Sequence, residues 1–293
     1  MAAAAFHALN GVIGRYVLKI VGDPSVFAGM GLPADAFVPT DARAVRVPGK
    51  PSAANAAATV EAITKAVTLC RARIAVALVT APINKHVLMQ SGFRFPGHTD
   101  YLAHLTGTRR AVMMLAGASL RVVPLTVHVS IASVPWLLSQ EAIIETAEIT
   151  LEALTRDFGI ARPRLAVAGL NPHAGESGAL GGEEDSIIAP AIAELVARGH
   201  RVTGPLPSDT MFHAEARAGY DAALCMYHDQ ALIPIKTLSF WDGVNVTLGL
   251  PIVRTSPDHG TAFAIAGSGT ADPRSMIAAI QMAAAMADAR AII

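Results

Sequence analysis

The chain is short of charge, of aromatic rings and of sulfur, and each shortage excludes something. Charged residues fill 16% of the 293 positions, and 23 basic side chains balance 23 acidic ones. No Lys/Arg stripe offers itself to nucleic acid or to an anionic membrane, so small molecules are the expected ligands. Only two cysteines occur, Cys70 and Cys225, both in apolar context. That argues against a disulfide scaffold and for buried, inert thiols in a reducing cytoplasm. No stretch sustains the ~18 apolar residues of a membrane-spanning helix. The N-terminal MAAAAFHALNGVIGRYVL has no basic region before Arg15, which is a poor fit to a signal peptide. A GxGxxG between strand and helix, the usual dinucleotide fingerprint, is missing as well, since Gly267 and Gly269 do not meet that spacing. The sequence shows no internal repeat and no low-complexity linker.

What is present is a hydrophobic content of 52%, enough to bury a sizeable core, in a chain long enough for two lobes with a cleft. Short apolar runs alternate with longer helical ones, the pattern of an α/β protein with a mostly parallel sheet. Strands are expected at 16–21, 74–80, 111–115, 120–129, 165–170, 222–227, 244–248 and 252–255. Helices are expected from Ser52 to Cys70, from Thr99 or Asp100 to Leu105, as one long piece over 135–158, over 185–197, and from Asp272-Pro273 onward.

Three of the apolar runs lead into a histidine: VVPLTVHV at His128, RLAVAGLNPH at His173 and DAALCMYHD at His228. Ligands of an open α/β sheet bind beyond the carboxyl ends of its strands. Each histidine alone reads as a hydrogen-bonded core or loop residue, but their shared placement points to one cation. Three imidazoles with an open position suit Zn²⁺ or a similar divalent ion that polarises a carbonyl or a hydroxyl. Asp229 can orient His228 or simply form a turn. Lys236, Asn245 and Arg254 offer two positive charges and an amide to a phosphate or carboxylate; for Lys236 alone, a solvated charge is the simpler reading. The loop Gly97-His98-Thr99-Asp100 reads as an anion site at a helix start or as a plain cap, and Asn84-Lys85-His86 offers the same two readings. In 256–273, Gly260, Thr261 and Ala262 allow close backbone approach beside His259.

The strings GHTD, LNPHAGE, GPLPSDT, YHDQALIPIK, GVNVTLGLPIVRTSPDHGTA and AGSGTAD, in this order, resemble the 4-hydroxythreonine-4-phosphate dehydrogenase family from about Tyr16 to the C-terminus. The closing loop also resembles the adenosine-binding loop of isocitrate and isopropylmalate dehydrogenases. The resemblance implies a two-lobed α/β/α fold of that type, with residues 1–96 and 250–293 in the lobe carrying the nicotinamide loop and 97–249 in the lobe with the metal and dimer contacts. It implies oxidation of a phosphorylated hydroxy acid by NAD, or by NADP, followed by loss of CO₂. The metal would be zinc, with magnesium, manganese or cobalt as alternatives.

By this resemblance His128, His173 and His228 are the metal ligands, in a site completed across a homodimer. His98, Thr99, Lys236, Asn245 and Arg254 bind substrate, and His259, Gly260, Thr261 and Ala262 bind the cofactor. The metal makes the substrate alkoxide accessible, hydride leaves to the nicotinamide, and the same ion stabilises the enolate formed on decarboxylation. Lys236, Asp242 or a metal-bound water takes the hydroxyl proton. The substrate is 4-phosphohydroxythreonine, a phosphorylated threonate or erythronate, or a dihydrodiol carboxylate. A non-catalytic metal or sugar-phosphate binder and a zinc aldol lyase are the readings from other classes, and the DHGTA loop beside the histidines counts against both. Family members begin with a strand and a turn resembling GDPAGIGPE, which this chain does not show; the expectation is a start that falls late or a shortened paralogue with altered activity.

Overall fold

A computed structural model describes residues 1–292 and divides the chain into two compact units, Met1–Ala111 with Leu250–Asp288, and Val112–Gly249 with residues 289–292. In the first unit Ser52 caps a short 3₁₀ turn, its Oγ accepting from Ala54 N, and the Ala56–Arg71 helix follows. Ile63, Ala66, Val67 and Cys70 recur at helical spacing and are buried. They pack with Leu78, Tyr101, Leu102, Leu250 and Ile252. Tyr101 and Leu102 belong to the His98–Thr106 helix, so the apolar face of that helix binds it to the first unit. The chain therefore passes to the second unit after Ala111 and not at residue 96 as expected. The Ala77–Val79 strand runs parallel to Val253–Pro257, with Leu78 opposite Arg254.

Among the described residues of the second unit, six strands form one sheet. Its order is Val244–Leu248, Val112–Ala116, Arg121–Pro124, Ala222–Cys225, Arg164–Ala168, Arg201–Leu206. The first two pairings are antiparallel and the remaining three parallel. Ala166, Ala168, Ala223 and Cys225 are fully buried, as strands covered on both faces require. The mostly parallel α/β class is the one expected from the sequence.

Several elements differ from expectation: helices Lys85–Gln90 and His228–Leu238 were not expected, and the strand expected over 120–129 is confined to Arg121–Pro124. The helix foreseen over 135–158 is broken into Val134–Leu137 and Gln140–Arg156, because Ser139 turns extended and its Oγ accepts from Ala142 N, 3.1 Å away, to cap the second piece. Strand Arg201–Leu206, at the sheet edge, was not foreseen. Among the described residues no helix is long and apolar enough to cross a membrane.

The end of the Gln140–Arg156 helix is fixed by a buried carboxylate. Asp157 Oδ1 accepts from Arg156 Nε at 2.7 Å and from Arg290 Nε at 2.6 Å. Burial alone would raise its pKa, but the two guanidiniums outweigh it and hold the group below the ordinary Asp range. Such a group adds stability that is present above the unfolded-state value and lost as pH falls through the folded-state value. We expect Asp157→Asn to destabilise the protein by about 2 kcal/mol at neutral pH, discounted for the partly exposed arginines. Urea midpoints of mutant and parent should converge as pH drops below the ordinary Asp value; a constant gap would mean that the ion cluster contributes nothing.

Candidate active site

The three histidines follow the carboxyl ends of three neighbouring parallel strands, Arg121–Pro124, Ala222–Cys225 and Arg164–Ala168. Between the first two, backbone pairing continues past the strand ends. Leu125 N donates to Cys225 O, and Thr126 donates to Met226 O through both its amide and its hydroxyl. That extension carries His128 alongside His228, with ring centroids 5.9 Å apart, a separation that one ion with bonds of about 2.1 Å to a nitrogen of each ring can span. His128 has φ 54°, in the left-handed region.

His228 opens the His228–Leu238 helix. Its Nδ1 donates to Asp229 Oδ1 at 2.6 Å, which leaves Nε2 for a ligand. Two residues on, buried Gln230 accepts from Met226 N and donates to Gly169 O and Ser208 Oγ. The turn bearing His228 is thereby tied to the neighbouring strand end. A concavity of about 180 Å³ opens here, lined by Thr126, His128, Ile131, Val134, Tyr227 and His228.

His173 is not grouped with this pair. Among the described residues, no three of His, Cys, Asp and Glu come close enough to hold one ion. The five residues from His173 to Ser177 all have positive φ, between 45° and 81°, and His173 is exposed. Left-handed backbone costs a non-glycine residue roughly 1–2 kcal/mol, so the turn needs external support. Glu184, 2% exposed, supplies it. Its carboxylate accepts from Asn171 N at 2.7 Å and Asn171 Nδ2 at 2.9 Å. It also lies so close to Gly175 that a Cβ there would sit 2.7 Å from Oε2. One chain thus brings two of the three expected ligands together and builds a braced turn for the third.

The remaining candidates of this unit are spread along one stretch. Lys236 is half-buried on the helix begun by His228, with Nζ 6.0 Å from the Phe240 ring centre. Asp242 is exposed in the turn that follows. Asn245 lies on the Val244–Leu248 strand opposite Leu115, and its Oδ1 is buried without a hydrogen-bond partner among the described residues.

In the first unit, Arg254 is 3% exposed and donates from Nη2 to Thr80 Oγ1 at 2.7 Å. Burial pulls its pKa down to about 10, so it stays charged at neutral pH. His98 begins its helix with Gly97 in the capping position, which places Thr99 and Asp100 in the first turn and not at the cap. Its Nε2 is buried with no partner among the described residues. Burial, and then the charges of Arg254 and Lys85, push the His98 pKa down to about 3. In the free protein, imidazole resonances of His98 should therefore not titrate between pH 8 and 5. An NMR midpoint near the ordinary histidine value of about 6.5 would show that the ring is not shielded.

The loop expected to bind a cofactor is anchored at both ends. Asp258 N donates to Ser275 Oγ, and Asp272 Oδ1 accepts from Arg274 N. Between the anchors His259 and Gly260 are exposed, and Ala262 has φ 50°. A Cβ at Gly260 would meet nothing within 4 Å, so a flat ligand has room against the backbone. The loop's small residues fit a dinucleotide, and the imidazole pair with its Asp229 brace fits a divalent ion. Asn171, Glu184 and Gln230 escaped the sequence reading; the signal available was their place inside LNPHAGE, GGEED and YHDQ, next to the histidines.

Residues 28–283 match the family model described as pyridoxal phosphate biosynthetic protein PdxA. A 4-hydroxythreonine-4-phosphate dehydrogenase of Roseobacter denitrificans is 54% identical over 304 residues, covering 98% of this chain and 92% of its own. One from Caulobacter vibrioides is 57% identical over 250 residues, covering 83% and 75%. Among solved structures, the 4-hydroxythreonine-4-phosphate dehydrogenase of Klebsiella pneumoniae superposes with TM-score 0.79 at 38% identity over 98% of this chain and 88% of that one. A terephthalate 1,2-cis-dihydrodiol dehydrogenase of Burkholderia xenovorans does so with TM-score 0.66 at 28% identity, over 97% and 91%.

Proposed function

The chain belongs to the PdxA family and is an oxidoreductase, and from that premise we propose that it oxidises 4-hydroxythreonine-4-phosphate, with decarboxylation, at the expense of NAD. The observation that carries the reading is the His128–His228 pair, joined past the ends of adjacent parallel strands and braced by Asp229. A divalent ion held there, zinc before magnesium, manganese or cobalt, would supply Lewis acidity toward a substrate hydroxyl. The exposed loop from His259 to Ala262 is the surface for the nicotinamide cofactor, which accepts the hydride.

The chain's own residues hold the rest. Buried, permanently charged Arg254 and neutral His98, with Thr99 beside it, bind an anionic group. Asn245 orients substrate polar groups, and its buried Oδ1 accepts a substrate donor. Lys236 and Asp242 are the groups that handle the hydroxyl proton, and pH–rate profiles of Lys236→Met and Asp242→Asn separate the two.

The third metal ligand is His173, in a site completed across a homodimer. Ile131, 67% exposed, lines the His128 pocket, and Trp136, two residues after pocket-lining Val134, is 88% exposed; they form the apolar surface that a second copy covers.

The test is NADH formation with 4-phosphohydroxythreonine, phosphorylated threonate and erythronate, and the dihydrodiol of terephthalate, each with and without a chelator. Chelator-sensitive turnover of the first substrate is expected. Turnover of the dihydrodiol alone would favour the second reading, which the Burkholderia xenovorans neighbour supports. No turnover of any of them, with metal and NAD bound, would refute the dehydrogenase assignment.

A further inference from the structure

We propose that Lys85 is a substrate-contacting residue, the second positive charge of the cluster formed with Arg254 and His98, and that the group it binds is a phosphate dianion. The inference rests on the reading that Arg254 and His98 hold the anionic end of the substrate.

Lys85 is the first residue of a short helix capped by Asn84, whose Oδ1 accepts from Val87 N at 3.0 Å. That helix follows the Ala77–Val79 strand and Thr80, and this strand lies against the one bearing Arg254. The Lys85 side chain lies over Gly97. A Cβ at Gly97 would be 3.3 Å from Lys85 Cε and 3.4 Å from Nζ, so the absence of a side chain there gives the ammonium its place next to His98. Asp100 Oδ2 lies 3.8 Å from the same point. Even so, Lys85 is in no ion pair or hydrogen bond among the described residues, and its charge adds to the effects of burial and Arg254 that lower the His98 pKa.

The number of donors then selects the ligand. Arg254, Lys85 and the imidazole of His98 present donors from three side chains, with the Asp100 carboxylate close to Lys85. A phosphate monoester carries about −1.5 to −2 at pH 7 and offers three strong acceptor oxygens, one for each side chain, whereas a carboxylate offers two. The two cations divide the work by chemistry. Arg254 is a planar donor fixed by burial and by Thr80, while Lys85 is an exposed point charge on a flexible stem, the form in which lysine binds phosphate.

The test uses the full-length protein, with inorganic phosphate as the probe. Phosphate dissociation constants by calorimetry, and KM for 4-phosphohydroxythreonine, are compared among the parent, Lys85→Met, Lys85→Arg and Arg254→Met. Lys85→Met should weaken phosphate binding and raise KM about tenfold or more. Lys85→Arg should restore most of both, and acetate binding should change little. Thermal unfolding checks that the exposed substitution leaves the fold intact. If Lys85→Met binds phosphate like the parent while Arg254→Met does not, Lys85 is outside the site and the inference falls. If neither variant affects phosphate, the anion-binding reading falls and the inference with it.

Discussion

Replacing His228 with alanine is expected to strip the protein of its divalent ion and to lower kcat/KM by at least about a thousandfold, the equivalent of roughly 4 kcal/mol of transition-state stabilisation. The expectation follows from its position. His228 is the candidate ligand whose second nitrogen is committed to a carboxylate at 2.6 Å, so its free nitrogen is already oriented. It also opens a helix in ordinary backbone geometry, so the substitution removes the imidazole without disturbing the turn, which Gln230 holds independently. Asp229→Asn keeps the ligand and loses only its brace, and a milder loss of about 10–100-fold in metal affinity is expected. Elemental analysis of the purified variants, beside steady-state rates, reads both effects. A His228→Ala protein with parental metal content would remove the histidine pair from the reaction.

Replacing Arg254 with methionine is expected to reduce kcat/KM by between about tenfold and a hundredfold, mostly through KM, as each lost charge-assisted bond is worth roughly 1.5–3 kcal/mol. The same substitution should leave thermal stability unchanged or raise it. Arg254 is 3% exposed, and burial already weakens its hold on the proton; an apolar side chain of similar reach relieves that desolvation. Opposite movements of catalysis and stability separate a binding role from a structural one. A parallel fall in both would mean that the guanidinium holds the strand in place and nothing more.

Much of the architecture was legible because parallel strands buried on both faces are written as unbroken apolar runs. Ala222–Cys225 and Arg164–Ala168 are examples, and the turns after them are where chemistry collects. The histidines could be picked out by that rule alone. What could not be read was which of them meet. His128 and His228 are joined by carbonyl–amide pairing beyond their strands, a backbone event with no side-chain signature. His173 is set apart by a left-handed turn braced by Glu184, thirteen residues after Asn171. Helical periodicity ran through Ser139 because its neighbours are apolar at helical spacing, and a local hydroxyl-to-amide bond prevailed. The place where the chain changes units hung on two side chains, Tyr101 and Leu102, and pattern does not say which core a helix will choose.

The positive φ of His128 and of His173 has an evolutionary and practical consequence. Glycine is the residue that such backbone selects, and a side chain there is a standing loss of conformational stability. On the proposed metal site, the fold keeps imidazoles where its own energetics would discard them, which sets stability against function at these two positions. Alanine scanning at 128 or 173 mixes ligand loss with a change in backbone strain. Glycine or asparagine is the cleaner replacement, and a variant that is more stable and less active at these positions is behaving as the backbone dictates.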